Sequence, residues 1–458
     1  MSTTSPADRA PRPVLSTTDA IAIIVGIVIG AGIFAVPSIV AGSVASERMM
    51  ILVWIAAGLV SLAGALCYGE LATAFPDAGG DYHFITRAYG SRLSFLYAWA
   101  RVIVITTASI AALAFVFGDY VARFLPLGGF GSAVYAALLV VALTAINIAG
   151  VRRGAVTQNL LTAALVAGLV MVIVAGLFVA APAEAPAAAA AAADGGKPWH
   201  AGIGLAMVLV LFTYGGWNEA AYISAEVKDA RRNMVRALVF GILVIVALYL
   251  LTNLAYLRGL GMAGMAGSQA VAADLLARTW GDIGAAIISL VVVVAAATSA
   301  NATIIAGSRT NYALGRDWPL LGFLGRWNER TGTPVNALVA QGAIALALVA
   351  FGALTTGNRG LQTMIEVTAP VFWFFFLLAG ASLVVLRVRE PHAERPFRVP
   401  LYPLTPAVFC LSSAYLLYSS LAYTGRGAWV GVAVLAVGVA VLAIGLRYRG
   451  SAPARQLP

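Results

Sequence analysis

The chain has 458 residues, 61% of them hydrophobic and only 10% charged, whereas an ordinary soluble domain carries roughly 25% charged residues. So few charges cannot cover a water-facing surface, and apolar runs of about 20 residues recur from end to end, so lipid is the solvent for most of the chain. The formal charge of +10 does not mark a nucleic-acid surface, because the basic residues are spread over short loops rather than gathered on one face.

The first residues are polar and include Arg9 and Arg12. The apolar run that follows is too long for a signal-peptide core, so it reads as an uncleaved first helix. Apolar windows bounded by charges, Gly and Pro give twelve predicted spans, at 19–41, 50–75, 92–118, 132–149, 156–181, 202–226, 236–257, 278–309, 335–355, 363–387, 403–423 and 428–447. The expected fold class is therefore an all-α polytopic membrane protein. No stretch between the spans is long enough for a soluble catalytic domain, and no enzyme activity is expected. Cys67 and Cys410 lie inside spans, where a small polarizable side chain packs without a redox role; neither a disulfide nor a metal site is expected, and no cofactor.

Twelve is even, so both termini share a side. Only Arg48, Arg123, Lys197, Arg258, Arg278, Arg359 and Arg426 fall on one side of the predicted spans; Arg101 lies within a span, and every other Lys and Arg falls on the opposite side. Such a bias places both termini in the cytoplasm and the chain in the cytoplasmic (plasma or inner) membrane.

A Pro-, Ala- and Gly-rich segment from Pro182 to Pro198 divides the first ten spans into five and five. Five is odd, so the second set enters from the opposite side, which permits an inverted repeat; such repeats hold their substrate at discontinuous helices in matching positions. The first span of each set has a glycine cluster, Ile29-Gly30-Ala31-Gly32-Ile33-Phe34 in span one and Phe212-Thr213-Tyr214-Gly215-Gly216-Trp217-Asn218 in span six. Gly26 and Gly30 also form a small-xxx-small pair suited to helix packing. The second reading is unwinding, which brings bare backbone to a ligand and is tolerated at membrane depth only around a protein-lined cavity.

These clusters, with Tyr68-Gly69-Glu70-Leu71, Pro76 to Tyr82, Ala225 to Asn233, Ser299-Ala300-Asn301 and Ser308-Arg309, resemble the amino acid–polyamine–organocation superfamily, specifically bacterial relatives of its L-type amino acid transporters. The resemblance implies a LeuT-type five-plus-five fold with helices 1 and 6 discontinuous and two additional C-terminal helices. The corresponding division is a cytoplasmic tail over 1–18, a first five-helix repeat over 19–181, an extracellular linker over 182–201, an inverted second repeat over 202–387, two helices within 388–447 and a tail over 448–458. It further implies that Gly30, Ala31, Gly32 and Ile33 receive a substrate carboxylate, that Phe212, Thr213, Tyr214 and Gly215 receive its ammonium, and that Phe212 is an aromatic lid. Half-helix ends agree with both assignments, since N–H groups attract anions and free carbonyls attract cations. By residue type alone Phe212 is equally a core aromatic, Tyr214 and Trp217 suit packing, and Asn218 suits bridging unwound backbone.

Ionisable groups within spans are functional candidates by default. Arg101 and Glu219 lie about 13 Å and about 10 Å inside the cytoplasmic ends of spans three and six, at 1.5 Å per residue, and are expected to interact as a gate, a proton relay or a structural pair. Glu70 is expected to cap or pair with a basic loop, Glu366 to approach Arg359 at an outer gate, Glu226 to join a salt-bridged loop face, and His83 to pack in a loop. Many relatives carry a lysine in span five where this chain has Leu165, which removes the simplest inference about coupling. Ser299 and Asn301 are further coupling or gate candidates, and Thr298, Ser299 and Thr303 offer hydroxyls to a sodium ion, although membrane-helix hydroxyls commonly bond backbone instead.

The reading is a secondary transporter of a neutral L-amino acid, working by alternating access of spans one, two, six and seven against the rest, coupled to H+ or acting as an exchanger. Its expected partners are the amino acid and membrane lipid. The rivals are cationic amino acid or polyamine transport and, from another class, a non-transporting amino acid sensor or accessory subunit.

Overall fold

The computed structural model describes residues 16–75, 80–149, 155–180, 199–218, 227–328, 330–331, 333–356, 360–422 and 427–449. Among them the chain is helical, apart from an isolated bridge between Asn328 and Thr333. Its helices are α1 (Thr17–Val28), α2 (Val36–Ala41), α3 (Glu47–Ala74), α4 (Asp81–Tyr89), α5 (Ser91–Ala100), α6 (Thr106–Phe124), α7 (Gly131–Ile148) and α8 (Ala155–Val174). They continue with α9 (Trp199–Tyr214), α10 (Ala230–Ala266), α11 (Val271–Asp317), α12 (Val335–Thr356), α13 (Gly360–Arg389), α14 (Leu404–Ala422) and α15 (Gly427–Arg449).

Nine helices among the described residues are long and apolar enough to cross a membrane, and two shorter apolar helices accompany them. Hydrocarbon cannot hydrogen-bond a free peptide group, so continuous helices, which satisfy their backbone internally, are the structure such sequences adopt. Leu59, Leu411 and Ile283 are 63%, 71% and 75% exposed, an outward apolar surface that only lipid can cover. The protein is a multi-pass membrane protein.

Every predicted span meets a helix, but several ends differ. The span expected at 236–257 runs over Ala230–Ala266 with a kink at Gly261, and that expected at 278–309 runs over Val271–Asp317 with non-helical Trp280 and Gly281 inside it. Hydropathy marks only the part of a helix in hydrocarbon, while its backbone ladder continues into polar surroundings. Helices α5 and α6 form one rod through a π turn at Arg101–Ile105, a local insertion common at functional sites. Helix α6 packs on α7 and α11, α10 on α1 and α3, and α13 on α14.

Glu70, only 2% exposed, organises one end of the bundle. Its carboxylate accepts both Arg387 Nε (2.8 Å) and Nη2 (2.5 Å) from α13, and the Val399 N–H at 2.6 Å, with Arg395 Nε 3.5 Å away. Capping or pairing with a basic loop was the expectation; the structure pairs Glu70 with Arg387 inside α13 and with Arg395 and the Val399 N–H of the loop that follows. Nearby, Arg87 of α4 meets Glu390 in a fork of two 2.7 Å hydrogen bonds, but at 41% and 30% exposure water screens this pair.

The two pairs should therefore differ sharply. Glu70→Ala leaves a buried guanidinium without its partner, at a cost of about 3–5 kcal/mol, whereas Glu390→Gln costs about 0–1 kcal/mol; melting of the two variants in detergent measures the contrast. Hydrogen bonding to Arg87 holds the Glu390 carboxyl below the usual carboxylate range, so its contribution is complete above about pH 4.3 and lost only as pH falls through the lowered value.

Candidate functional site

The first span is interrupted where the glycine cluster predicts. Helix α1 ends at Val28, Gly30 is extended at φ −109° and ψ −169°, a 3-10 turn covers Ala31–Phe34, and α2 resumes at Val36. The leading N–H groups of a helical turn have no intrahelical acceptor, so this turn presents donors at the break. The second interruption follows α9: the Gly215 N–H bonds the Phe212 carbonyl at 3.1 Å and Gly216 adopts φ +107°. A side chain there would be strained, which explains the second glycine.

The two interruptions meet. A Cβ on Gly32 would stand 3.3 Å from Thr213 Cγ2 and 3.8 Å from Thr213 Cα. The Tyr249 hydroxyl of α10 spans both breaks, lying 2.9 Å from the Val28 carbonyl and 3.3 Å from that of Thr213. One O–H carries one proton, so two terminal carbonyls share a single donor. Trp54 of α3 supports the bridge: its ring lies edge-on to Tyr249 at 5.6 Å, and its carbonyl accepts the Tyr214 hydroxyl at 3.3 Å. Ala31, Ile33, Thr213 and Tyr214 are buried, and Phe212 is half-buried.

Trp217 lies in an aromatic box with Tyr68 (5.1 Å), Phe376 (5.6 Å) and Phe409 (6.2 Å), a packing position. Asn218 reaches a carboxylate that sequence reading treated only as part of a motif: its Nδ2 lies 3.4 Å from Asp81 Oδ2. The same oxygen accepts the Tyr97 hydroxyl at 3.1 Å, and Arg101 Nη1 donates to Tyr97 at 3.1 Å. Arg101 thus joins a chain running from the π turn through Tyr97 to the start of α4 and the end of the second break. Its expected partner Glu219 lies outside the described residues, as do Glu226 and Arg359.

The remaining candidates sit in other helices. Asn301 Oδ1 accepts Asn147 Nδ2 at 2.7 Å, tying α11 to α7. The Thr298 and Thr303 hydroxyls donate to Val294 and Ser299 carbonyls of their own helix, each at 2.8 Å; Thr298 and Ser299 are half-buried in the same helix. Leu165 is 5% exposed. Glu366 accepts Gln362 Nε2 at 2.9 Å within α13, and His83 stacks edge-on with Phe84 in α4. A groove of about 630 Å³ between α3 and α10, lined by Arg48, Arg258 and leucines, opens outward and away from the breaks.

Two interrupted helices with apposed ends, one presenting donors and the other carbonyls, can hold a small zwitterion. A family model for amino acid permeases matches residues 15–444. The chain belongs to that family, within the amino acid–polyamine–organocation superfamily. The permease is 30% identical over 405 residues to the b(0,+)-type amino acid transporter 1 of Mus musculus, covering 87% of this chain and 80% of the relative. The Homo sapiens protein of the same name is 30% identical over 410 residues, with 88% and 81% covered. The large neutral amino acids transporter small subunit 2 of Homo sapiens is 28% identical over 429 residues, with 92% and 78% covered.

Tyr249 is the residue of this permease that sequence reading missed, since nothing local to a tyrosine in a long helix signals which carbonyls it reaches. Tyr249→Phe leaves the buried Thr213 carbonyl without this donor, while the Val28 carbonyl keeps the Gly30 N–H at 2.8 Å, and should cost about 1–3 kcal/mol; Gly216→Ala should cost about 1–2 kcal/mol through its left-handed backbone. Both are read from melting in detergent, and a Tyr249→Phe protein as stable as the parent contradicts the bridge.

Proposed function

We propose that this permease is a secondary transporter carrying a neutral L-amino acid across the cytoplasmic membrane by alternating access. The observation that carries the reading is the meeting of the two interrupted helices at Gly32 and Thr213 beneath one shared tyrosine. In this reading the N–H groups of Gly30 to Ile33 take the carboxylate, the carbonyls of Phe212 to Gly215 take the ammonium, and Phe212 closes over the side chain. Amino acid transporters among the relatives, one named for large neutral amino acids, support the substrate class.

The accompanying architecture is twelve crossings in a LeuT-type arrangement: two inverted five-helix repeats over 19–181 and 202–387, a linker over 182–201, and two further helices within 388–447. The tails over 1–18 and 448–458 lie in the cytoplasm. The basic loops, with the Glu70 and Arg87 pairs, then belong to the cytoplasmic end. Spans one, two, six and seven move against the others, and the close packing of α10 on α1 and α3 suits their moving as one body.

Coupling is assigned to a proton or to exchange of one amino acid for another. Arg101 and Glu219 are the gate or relay candidates; Arg101 already takes part in a hydrogen-bonded chain that reaches the second break. Asn301 and Ser299 in α11 are the secondary candidates, and sodium at Thr298, Ser299 and Thr303 is the minor alternative. A second reading, cationic amino acid or polyamine transport, draws on Asp81, a buried carboxylate beside Asn218.

Counterflow into proteoliposomes with a panel of amino acids separates these readings. Neutral L-amino acids should exchange, while lysine, ornithine and putrescine should compete weakly, and Glu219→Gln should flatten the pH dependence while leaving sodium without effect. Absence of counterflow for every amino acid and polyamine, in folded protein, rules out transport. A normal rate and unchanged pH dependence in Glu219→Gln rules out the relay.

A further inference from the structure

At the end of the bundle remote from the basic loops, α6 carries Asp119, Tyr120 and Arg123 within little more than one turn, each tied to a different element. Asp119 Oδ1 accepts the Ser132 hydroxyl of α7 at 2.5 Å, and a Cβ on Gly118 would overlap the Ser132 carbonyl. These contacts hold α6 against α7 as a firm support. Tyr120, wholly buried, donates its hydroxyl to the Phe34 carbonyl at 2.9 Å. Phe34 closes the 3-10 turn of the first break, and that turn packs against α11.

The Phe34 carbonyl belongs to the class of backbone groups that a helix end leaves unsatisfied. Arg123, three residues on and therefore on the same face of α6, bonds Asp274 Oδ1 at 2.6 Å. Asp274 sits in the negatively preferred first turn of α11 and also accepts the Ser268 hydroxyl, which in turn accepts the Ala270 N–H. The first turns of α11 are set apart from the rest by Trp280 and Gly281, the latter at φ +64° with open space around it, a place where the segment can hinge.

We propose that Tyr120 and Arg123 are positioning residues that form an outer latch: from one face of α6 the Tyr120 hydroxyl holds the segment just beyond the carboxylate-binding break while Arg123 holds Asp274 at the hinged start of α11, and together they close the outer entrance. Opening the latch exposes the Phe34 carbonyl, so it opens only as water enters to replace Tyr120. This inference rests on the transporter reading for its purpose, but its geometry is tested without transport.

The test uses full-length protein in which Cys67→Ala and Cys410→Ser remove the native thiols and Ala273→Cys, buried in the hinged segment, serves as reporter. A membrane-impermeant methanethiosulfonate reagent is added, without substrate, from the side of Arg123. Loss of one neutral hydrogen bond in Tyr120→Phe should raise the labelling rate about three- to tenfold, and loss of an exposed pair in Arg123→Gln about twofold. A parallel reporter, Ala136→Cys, buried in α7, should label at its parent rate in both variants, whereas general loosening would raise both sites. An unchanged rate at position 273 in Tyr120→Phe overturns the latch, as does an equal rise at position 136. If Tyr120→Phe does not fold, an unchanged rate in Arg123→Gln overturns it. Failed counterflow with a rise confined to position 273 leaves the latch standing and removes only the transport reading.

Discussion

A helix broken inside hydrocarbon exposes peptide groups that lipid cannot satisfy, and this permease breaks two helices within reach of each other. The design is tolerable because the exposed groups are served by protein. Tyr249 donates to the carbonyls that end the two helical stretches, Trp54 and Tyr214 wall the bridge with aromatic surface, and the 3-10 turn at Ala31 takes up the chain at once. Backbone groups of both breaks therefore lie side by side within an otherwise apolar bundle.

The two ends of the bundle are fastened by different chemistry. At the basic end, buried Glu70 gathers Arg387, Arg395 and the Val399 N–H, and losing Glu70 strands the arginine charge. At the other end, α6 is tied to the first break by a single buried hydroxyl and to α11 by a half-exposed ion pair, which water can replace at modest cost. The two ends are thus fastened with different strength, a distribution that suits the proposed opening to one side at a time.

Much of this was legible from residues alone. Apolar length located the spans because lipid demands it, and the glycines at 30, 32, 215 and 216 marked both breaks because only bare backbone suits an interrupted helix. Glu70 announced a partner by being a carboxylate within a span near basic loops. Other features had no local signal. That Gly32 faces Thr213 depends on the packing of helices about 180 residues apart in the chain, and no local signal singles out Tyr249 or Tyr120, whose roles rest on where their hydroxyls lie. Asp81 was part of a loop motif, yet it is buried against Tyr97 and Asn218. The kink at Trp280 and Gly281 was invisible because hydropathy continues across it.

The central claim is that both breaks together form one site with an anionic and a cationic end. Equilibrium binding to purified permease of a neutral amino acid, its carboxamide and its N-acetyl derivative tests this most directly. The account predicts that each derivative, lacking one charge, binds at least about tenfold more weakly than the parent, the loss of one charge-assisted hydrogen bond being worth about 1.5–3 kcal/mol. Binding of either derivative with undiminished affinity would contradict it, since one of the two helix ends would then have no role in holding the substrate.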